Sequence, residues 1–244
     1  WRCKSERKEL LVSIEPAKGI AGLKGALRYV RAYRDQIFVI KLGGEVLERA
    51  ESLSGVAAQL SLLSSLGVHL VVVHGGGPQA SQLTRRLGGE PKMIAGRRIT
   101  DDTALSAVVM AVAGQLNVQV LSALRAHHVR AVGLSGVDAE LVTAHKRPPV
   151  EVVDDSGQTQ KVDFGHVGDI DRVDPRVIET LLASGYVPVI SCLAGDNQGN
   201  IYNINADTLA ESLAVALRAQ KLIFMTSAPG VLRDRNDPST LVTC

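Results

Sequence analysis

One lysine stands near the end of an apolar, β-branched segment and is followed by two glycines. This segment covers residues 37–44, and Lys41 is its only charged residue. Residues 68–78 repeat the theme, with apolar residues followed by a histidine, three glycines and a proline. A lysine among apolar residues is costly unless it meets an anion, and glycines let backbone N–H groups approach an anion closely. Together the two segments predict a site for a phosphoryl group in transfer.

The same segments predict the strands that carry this site. A short apolar run bounded by glycine is typical of a buried parallel strand with a turn at its carboxyl end. In an open α/β sheet, ligands bind at those ends, and the N-terminus of a following helix adds partial positive charge. Either segment alone is often only a strand and a turn, but a lysine in the first favours a binding role for both.

Composition indicates a globular protein and argues against several classes. Of the 244 residues, 45% are apolar, which suffices for a large core. The net charge of +2 does not indicate a nucleic-acid or membrane partner, and 3% aromatic residues argue against base stacking. The three cysteines, Cys3, Cys192 and Cys244, lie far apart, so we predict no metal site or disulfide, which fits a reducing cytoplasm. We place Cys192 in the core.

The N-terminus and the hydropathy pattern give further expectations. No apolar stretch approaches the length of about 18 residues that a membrane span needs, so we predict none. Residues 1–10 are charged and lack the apolar core of a signal peptide. Because the first residue is Trp1 rather than Met, we expect the chain to begin inside a longer reading frame.

Apolar periodicity predicts alternating strands and helices. An amphipathic helix over residues 19–34 precedes the first strand, so we divide the chain into an N-terminal segment, 1–34, and a domain, 35–244. Residues 142–164 contain short alternating segments that predict an inserted antiparallel hairpin. The other elements alternate as in βαβ units with a parallel sheet. They are helices over about residues 56–66, 78–87, 100–127, 174–184 and 205–218, and strands over residues 68–73, 131–134, 186–191 and 221–226.

Four further motifs accompany the glycine segments, and in this order they resemble the amino-acid kinase family, most closely its members that phosphorylate N-acetyl-L-glutamate. The motifs are Gly96-Arg-Arg-Ile-Thr100, Gly165-His-Val-Gly168, Asn203-Ile-Asn-Ala-Asp207 and Thr226 to Gly230. The resemblance covers about residues 19–244. It implies an α/β fold, a three-layer αβα sandwich with a mainly parallel central sheet and a β-hairpin insertion.

The resemblance implies ATP-dependent phosphorylation of the side-chain carboxylate of N-acetyl-L-glutamate. The product is an acyl phosphate, on a cytoplasmic route to arginine. ATP would carry Mg²⁺, and the protein itself would bind no metal. Because an attacking carboxylate needs little proton chemistry, catalysis would depend on positioning and charge stabilisation. Lys41 would neutralise charge on the transferring group, and Asp207 would hold the catalytic lysines in place.

The resemblance also implies which residues bind the two substrates. Arg98 would pair with the substrate α-carboxylate through its bidentate fork, whereas Arg97 would be a surface residue. His74 would be a packed structural residue. The acylamino acid would be held by Gly44, Gly75, Gly76, Arg98, Asn203 and Asn205. The nucleotide would be held by Gly43, Thr226, Ser227, Gly230 and Leu232. Backbone donors to the phosphoryl group and the entering carboxylate would come from Gly43, Gly44, Gly75 and Gly76.

The sequence departs from the family pattern at two places. Ser227 stands where the family usually has Asp, which would weaken nucleotide binding. A second lysine, on the ATP side of the transferring group, is expected beyond Cys244. We therefore expect the kinase domain, residues 35–244, to be incomplete at its C-terminus.

Two alternative functions remain open. One is an arginine-sensing, weakly catalytic domain of an acetylglutamate synthase, and the other is a kinase for the aminoadipate analogue. The helix over residues 19–34 resembles one that joins dimers into hexamers in arginine-sensitive members of the family. We therefore expect a homo-oligomer, a dimer or a hexamer, with arginine as an effector and with neither nucleic acid nor membrane as a partner.

Overall fold

The computed structural model describes residues 27–94, 97–153, 159–226, 230, 232–234 and 237–242. The chain divides into two units, residues 1–34 and residues 35–244. In the first unit, residues 27–33 form a helix, α1, on which the rings of Tyr29 and Tyr33 stack with centroids 6.4 Å apart. The part of the predicted N-terminal helix before residue 27 lies outside the described residues.

The second unit alternates strands and helices along the chain. Its strands are β1 (Ile37–Leu42), β2 (His69–His74), β3 (Lys92–Ile94), β4 (Arg97–Ile99), β5 (Ala131–Ser135), β6 (Val142–Lys146), β7 (Val150–Val153), β8 (Thr159–Val162), β9 (Gly168–Val173), β10 (Val187–Ser191), β11 (Leu193–Gly195), β12 (Ile201–Asn203) and β13 (Lys221–Met225). Its helices are α2 (Gly44–Glu48), α3 (Ala50–Ser65), α4 (Gly77–Arg86), α5 (Asp102–Val108), α6 (Asn117–Ala126), α7 (Arg176–Ala183) and α8 (Ala206–Ala216).

Five strands form the central sheet in the order β13-β1-β2-β10-β5, and every neighbouring pair is parallel. The consecutive residues Val71, Val72 and Val73 of β2 are all fully buried. Because successive side chains on a strand point to opposite faces, both faces of this sheet are covered. Helices α3 and α6 pack together on the sheet, and α7 and α8 also contact its strands. The predicted α/β fold with a mainly parallel sheet is confirmed.

A long helix follows the Thr100-Asp-Asp-Thr103 segment, as predicted. It consists of α5, a π-helical segment (Val109–Leu116) and α6. Asp101 caps its N-terminus by accepting a hydrogen bond from the backbone N–H of Ala104 at 2.9 Å. By length and composition this helix could cross a membrane, so our expectation that no such stretch exists is wrong. In the structure one side of it lies in the core, where its buried apolar residues include Val108, Val112 and Leu116.

A second, mixed sheet has the strand order β12-β11-β6-β9, and two small antiparallel ribbons, β3–β4 and β7–β8, complete the unit. The β7–β8 ribbon confirms the predicted hairpin insertion, although β8 ends at Val162 rather than at Phe164. Residues 154–158, which connect the two strands of this ribbon, lie outside the described residues. The β3–β4 ribbon was not predicted. A small apolar cluster packs it against the β7–β8 ribbon, with Phe164 at its centre and Ile94, Ile99 and Val150 around it.

Cys192 follows β10 and is buried, as predicted. Burial raises the pKa of its thiol to about 11, so the thiol is neutral and unreactive at neutral pH.

Candidate active site

Lys41 reaches an acidic partner at the carboxyl edge of the central sheet. It lies one residue before the end of β1, and its Nζ is 2.7 Å from Oδ1 of Asp207. The lysine side chain is 16% exposed, whereas that of Asp207 is 56% exposed. The pair therefore places one nearly buried cation at the edge where an α/β sheet binds its ligands, with an open acidic neighbour that orients it.

Asp207 owes its position to the first turn of α8. The N-cap residue of this helix is Asn205, whose Oδ1 accepts hydrogen bonds from the backbone N–H groups of Asp207 and Thr208 at 2.8 and 3.0 Å. An acidic residue in the first turn is also favoured by the helix dipole. The oxygen of Asn205 is thus occupied by capping, which leaves only its amide nitrogen to meet a substrate.

The first glycine of the β1 loop is engaged by a neighbouring strand. Gly43 donates its backbone N–H to the carbonyl oxygen of Met225 at 2.8 Å. A Cβ atom at this position would lie 2.8 Å from that oxygen and 3.7 Å from Cα of Thr226. Glycine therefore lets the ends of β1 and β13 approach closely. In this arrangement the Gly43 N–H does not supply the free phosphoryl donor that we expected from the sequence.

The other glycines bring the two loops and α8 together. A Cβ atom at Gly44 would lie 3.3 Å from Cδ of Pro78, and one at Gly75 would lie 3.4 Å from Cβ of Ala206. Gly76 is the N-cap of α4, and a Cβ atom there would collide with the Leu116 side chain. Three parts of the chain thus converge beside Lys41: the loop after β1, the loop after β2 and the N-terminus of α8. The two loops lead into α2 and α4, whose N-termini carry backbone N–H groups.

His74 is a packed structural histidine, as predicted. Its side chain is fully buried at the end of β2, and its Nδ1 lies 3.0 Å from the carbonyl oxygen of Gly75. The amide nitrogen of Asn117 lies 3.2 Å from its Nε2. Burial lowers the pKa of the imidazole, which favours the neutral ring that these two contacts require.

A cavity of about 320 Å³ opens next to this edge. Its lining includes Arg98 from β4, Asn203 at the end of β12 and Asn205 before α8. Gly77, which follows the second glycine loop, lines it too, so the cavity adjoins the loops that surround Lys41. The structure thus brings together Arg98, Asn203 and Asn205, which the sequence assigned to one substrate.

Arg98 is anchored on one side and unpaired on the other. Its Nη2 donates to the carbonyl oxygen of Gly77 at 2.8 Å and to Oγ of Ser81 at 2.6 Å. Its Nη1 is buried without a hydrogen-bond partner. Burial, and then the charge of Arg85, lower the pKa of the guanidinium. A buried N–H donor on a cation is costly without an acceptor, and Arg98 lines the cavity, so its guanidinium is a candidate partner for an anionic ligand there. The neighbouring Arg97 is exposed, as predicted, but it also lines the cavity, which the sequence did not predict.

Two further residues of the site were not predicted. Ser81, which supports Arg98, lies four residues after Gly77 and therefore on the same face of α4, a spacing visible in the sequence. Arg147 also lines the cavity, and its Nε lies 3.0 and 3.1 Å from the two carboxylate oxygens of Asp169. This contact holds the pKa of Asp169 below its usual value. No sequence signal connected Arg147 with Asp169, because a pairing of β6 with β9 brings them together.

The residues predicted to hold the nucleotide, apart from Gly43, follow β13 along the chain. Thr226 follows this strand directly and is exposed next to Gly43. Leu232 forms an isolated bridge with Leu241, and Gly230 lies against the same leucine. Ser227 lies outside the described residues. Among the residues that the structure describes, no three His, Cys, Asp or Glu side chains form a cluster that could hold a metal ion.

Comparison with known proteins shows which family the chain belongs to. Residues 36–243 match the family model described as the amino acid kinase family. The acetylglutamate kinase of Myxococcus xanthus (strain DK1622) is 47% identical over 225 residues, which cover 91% of this chain and 73% of that protein.

Two solved structures are also similar. The crystal structure of smu.665 from Streptococcus mutans UA159 superposes with a TM-score of 0.69 and 33% identity, over 81% of this chain and 75% of that one. The N-acetylglutamate synthase from Neisseria gonorrhoeae, complexed with coenzyme A and N-acetyl-glutamate, gives a TM-score of 0.72 and 28% identity, over 88% of this chain and 47% of that one.

Proposed function

Since the chain belongs to the amino acid kinase family, we propose that it transfers the γ-phosphoryl group of ATP to the side-chain carboxylate of N-acetyl-L-glutamate. A carboxylate oxygen forms a bond to the γ-phosphorus while the bond to the β-phosphate oxygen breaks. The products are an acyl phosphate and ADP. The attacking carboxylate is already ionised at neutral pH, so the reaction requires no general base.

The contact between Lys41 and Asp207 is the observation that carries this proposal. A transferring phosphoryl group spreads negative charge over its oxygens, and a preorganised cation stabilises that charge without reorganising. Lys41 is such a cation because Asp207 fixes its ammonium group 2.7 Å away at the sheet edge. The N-termini of α2 and α4 add backbone N–H groups at Gly44 and Gly76.

The cavity beside Lys41 supports an acylated acidic amino acid as the acceptor. Arg98 presents a buried, unpaired guanidinium nitrogen that suits a carboxylate, and Asn203 adds an amide. A carboxylate at Arg98 and a second one directed at Lys41 match a substrate with two carboxylates. We assign the α-carboxylate to Arg98 and the reacting carboxylate to the loops around Gly44, Gly75 and Gly76.

On the nucleotide side, we propose that ATP binds around the end of β13. Gly43 lets the Thr226 backbone approach the β1 loop, and Gly230 and Leu232 follow on the same segment. Ser227 belongs to this proposed set. Mg²⁺ would come with the ATP phosphates, where it neutralises charge on the reacting group. Because ATP is an intracellular substrate, a cytoplasmic location goes with this proposal.

A second candidate function is that of an arginine-sensing, weakly catalytic domain of an acetylglutamate synthase. The TM-score of 0.72 with the N. gonorrhoeae synthase favours it. The Lys41–Asp207 contact and the 47% identity to a kinase favour catalysis instead. An aminoadipate-type substrate is one methylene longer than acetylglutamate and is a third candidate.

The experiment that tests the proposal compares two reactions in the purified full-length protein. One assay contains ATP, Mg²⁺ and N-acetyl-L-glutamate, with hydroxylamine to trap an acyl phosphate as a hydroxamate. The other contains acetyl-coenzyme A and glutamate. We expect hydroxamate formation that depends on both ATP and acetylglutamate. Acetyl transfer without any hydroxamate would instead support the synthase-like function. Replacing acetylglutamate by its aminoadipate analogue measures the preference between the two acceptors.

A further inference from the structure

Thr100 makes an unusual number of contacts for a residue beyond the end of a short ribbon strand. It follows β4 and is fully buried. Its backbone N–H donates to the carbonyl oxygen of Phe164 at 2.9 Å, and its carbonyl oxygen accepts from the N–H of His166 at 2.7 Å. Its hydroxyl oxygen lies 3.3 Å from the amide nitrogen of Asn203. All three polar groups of this buried residue are therefore satisfied by parts of the second sheet and its connecting segment.

These contacts close a ring of three segments, of which the one that carries Asn203 lines the cavity. The backbone N–H of Asn203 donates to the carbonyl oxygen of His166 at 2.8 Å, so His166 is bonded to both Thr100 and Asn203. Gly165, between Phe164 and His166, has φ of +72°, and a Cβ atom there would collide with the Thr100 carbonyl oxygen. The ring therefore needs a glycine to bring the two backbones this close.

The ring connects the strand that carries Arg98 with the side chain of Asn203, the two polar groups that we assign to the ligand of the cavity. Arg98 and Thr100 are two residues apart at the end of a strand, so their side chains leave the same face. The hydroxyl of Thr100 engages one N–H of the Asn203 amide, which leaves the second N–H and the carbonyl oxygen for a ligand. Without this contact, the Asn203 amide would be free to rotate about its terminal bond.

We propose that Thr100 is a positioning residue, whose hydroxyl orients the Asn203 amide relative to Arg98 for binding of the acylamino acid. This inference rests on the proposed function, because it takes N-acetyl-L-glutamate as the ligand of the cavity. Thr100 itself does not line the cavity, so its effect passes through Asn203. It should therefore act on the affinity for acetylglutamate and not on the use of ATP.

The test replaces the hydroxyl with a methyl group of similar size in the full-length protein. We expect Thr100→Val to raise the KM for acetylglutamate about three- to tenfold, the effect of one lost hydrogen bond, with kcat and the KM for ATP within about twofold of wild type. Thr100→Ser, which keeps the hydroxyl, should restore the wild-type KM. Thr84→Val is the matched control, because Thr84 is also buried but its hydroxyl donates within α4 to Ala80.

A double-mutant cycle separates positioning from a general structural role. If Thr100 acts through Asn203, then Thr100→Val should cause no further rise in KM when Asn203→Ala is already present. Equal effects of Thr100→Val in both backgrounds, or a KM for acetylglutamate within twofold of wild type in the folded single variant, would overturn the inference. If the valine variant does not fold, Thr100→Ala serves in the same cycle.

The wild-type protein separates failure of this inference from failure of the proposed function. Hydroxamate formation by the wild-type protein tests the proposed function. The ratio of the KM for acetylglutamate in the Thr100→Val variant to that in wild type tests the role of Thr100. If wild type binds acetylglutamate in calorimetry without turning it over, the same three- to tenfold ratio is expected in Kd. A wild-type protein that neither binds nor phosphorylates acetylglutamate would overturn both.

Discussion

Asn117 directs its side-chain amide at Nε2 of His74, 3.2 Å away, and so holds a fully buried histidine behind the second glycine loop. The same nitrogen lies 3.2 Å from the carbonyl oxygen of Val189 on β10. The long helix is thus connected by a polar contact to two strands of the parallel sheet. A buried contact of this kind fixes the position of the loop that begins at Gly75.

We predict that Asn117→Ala lowers the free energy of unfolding by about 1–3 kcal/mol, because it leaves the buried His74 nitrogen without a partner. Urea denaturation followed by circular dichroism measures this change. Gln119→Ala is the control, since Gln119 is exposed on the same helix and should change stability by less than about 0.5 kcal/mol. Equal stability of the two variants would show that the His74 contact contributes nothing.

For Arg98, we predict that replacement by alanine raises the KM for acetylglutamate roughly ten- to a hundredfold, the effect of a lost charge-assisted hydrogen bond. The KM for ATP should change little. Arg86→Ala, which removes an exposed arginine at the end of α4 that does not line the cavity, is the control and should leave both constants near wild type. Initial-rate kinetics with each substrate varied in turn give these values. A parallel rise for both substrates would mean that Arg98 supports the site as a whole.

Two variants of Asn205 can separate its role as the N-cap of α8 from its predicted role in binding acetylglutamate. Asn205→Ala should lower the free energy of unfolding by about 1 kcal/mol, because the first N–H groups of α8 lose their acceptor. Asn205→Ser keeps a capping oxygen without adding charge and should keep the stability. Thermal unfolding of both variants measures this, and their KM for acetylglutamate is determined in parallel. A large rise in KM for a stable serine variant would show that the amide nitrogen contacts substrate.

The N-terminal segment is predicted to control assembly. In the described part of its helix, Leu27 is 44% exposed and Tyr29 is 70% exposed. A second copy of the helix could cover these side chains in a self-complementary contact. We predict that deletion of residues 1–34 from the full-length protein converts hexamers to dimers, weakens inhibition by arginine and preserves kinase activity. Light scattering gives the particle mass, and an unchanged mass with an unchanged arginine response would contradict the prediction.

The fold was predictable from the sequence where one local pattern determines the element. The apolar segments before the glycine loops are β1 and β2, and the Thr100-Asp-Asp-Thr103 motif does open the long helix. The strand order and the second sheet could not be predicted, because they depend on pairings between distant residues. The polar residues Gln115, Asn117 and Gln119 interrupt the apolar pattern of the long helix. For this reason the sequence did not indicate an apolar stretch long enough to cross a membrane.

The site was predictable in composition but not in detail. The segment Asn203-Ile-Asn-Ala-Asp207 indicated Asp207 as a site residue. The structure adds that the side-chain oxygen of Asn205 caps α8. The glycines after β1 were correctly placed at the sheet edge, but which of them has a free N–H depends on the approach of β13 to Gly43. The support of Arg98 by Ser81 likewise requires the β4 and α4 backbones to be in place.

The most direct test of the central claim is the turnover number of the Lys41→Ala variant in the full-length protein, measured as ADP release with saturating ATP, Mg²⁺ and acetylglutamate. The account predicts a loss of roughly a hundred- to a thousandfold, because the variant lacks the preorganised cation for the transferring phosphoryl group. Lys161→Ala, which removes an exposed lysine on β8, should retain wild-type turnover, and both variants should unfold at the wild-type temperature. A folded Lys41→Ala protein with near-normal turnover would contradict the assignment of this site as the phosphoryl-transfer centre.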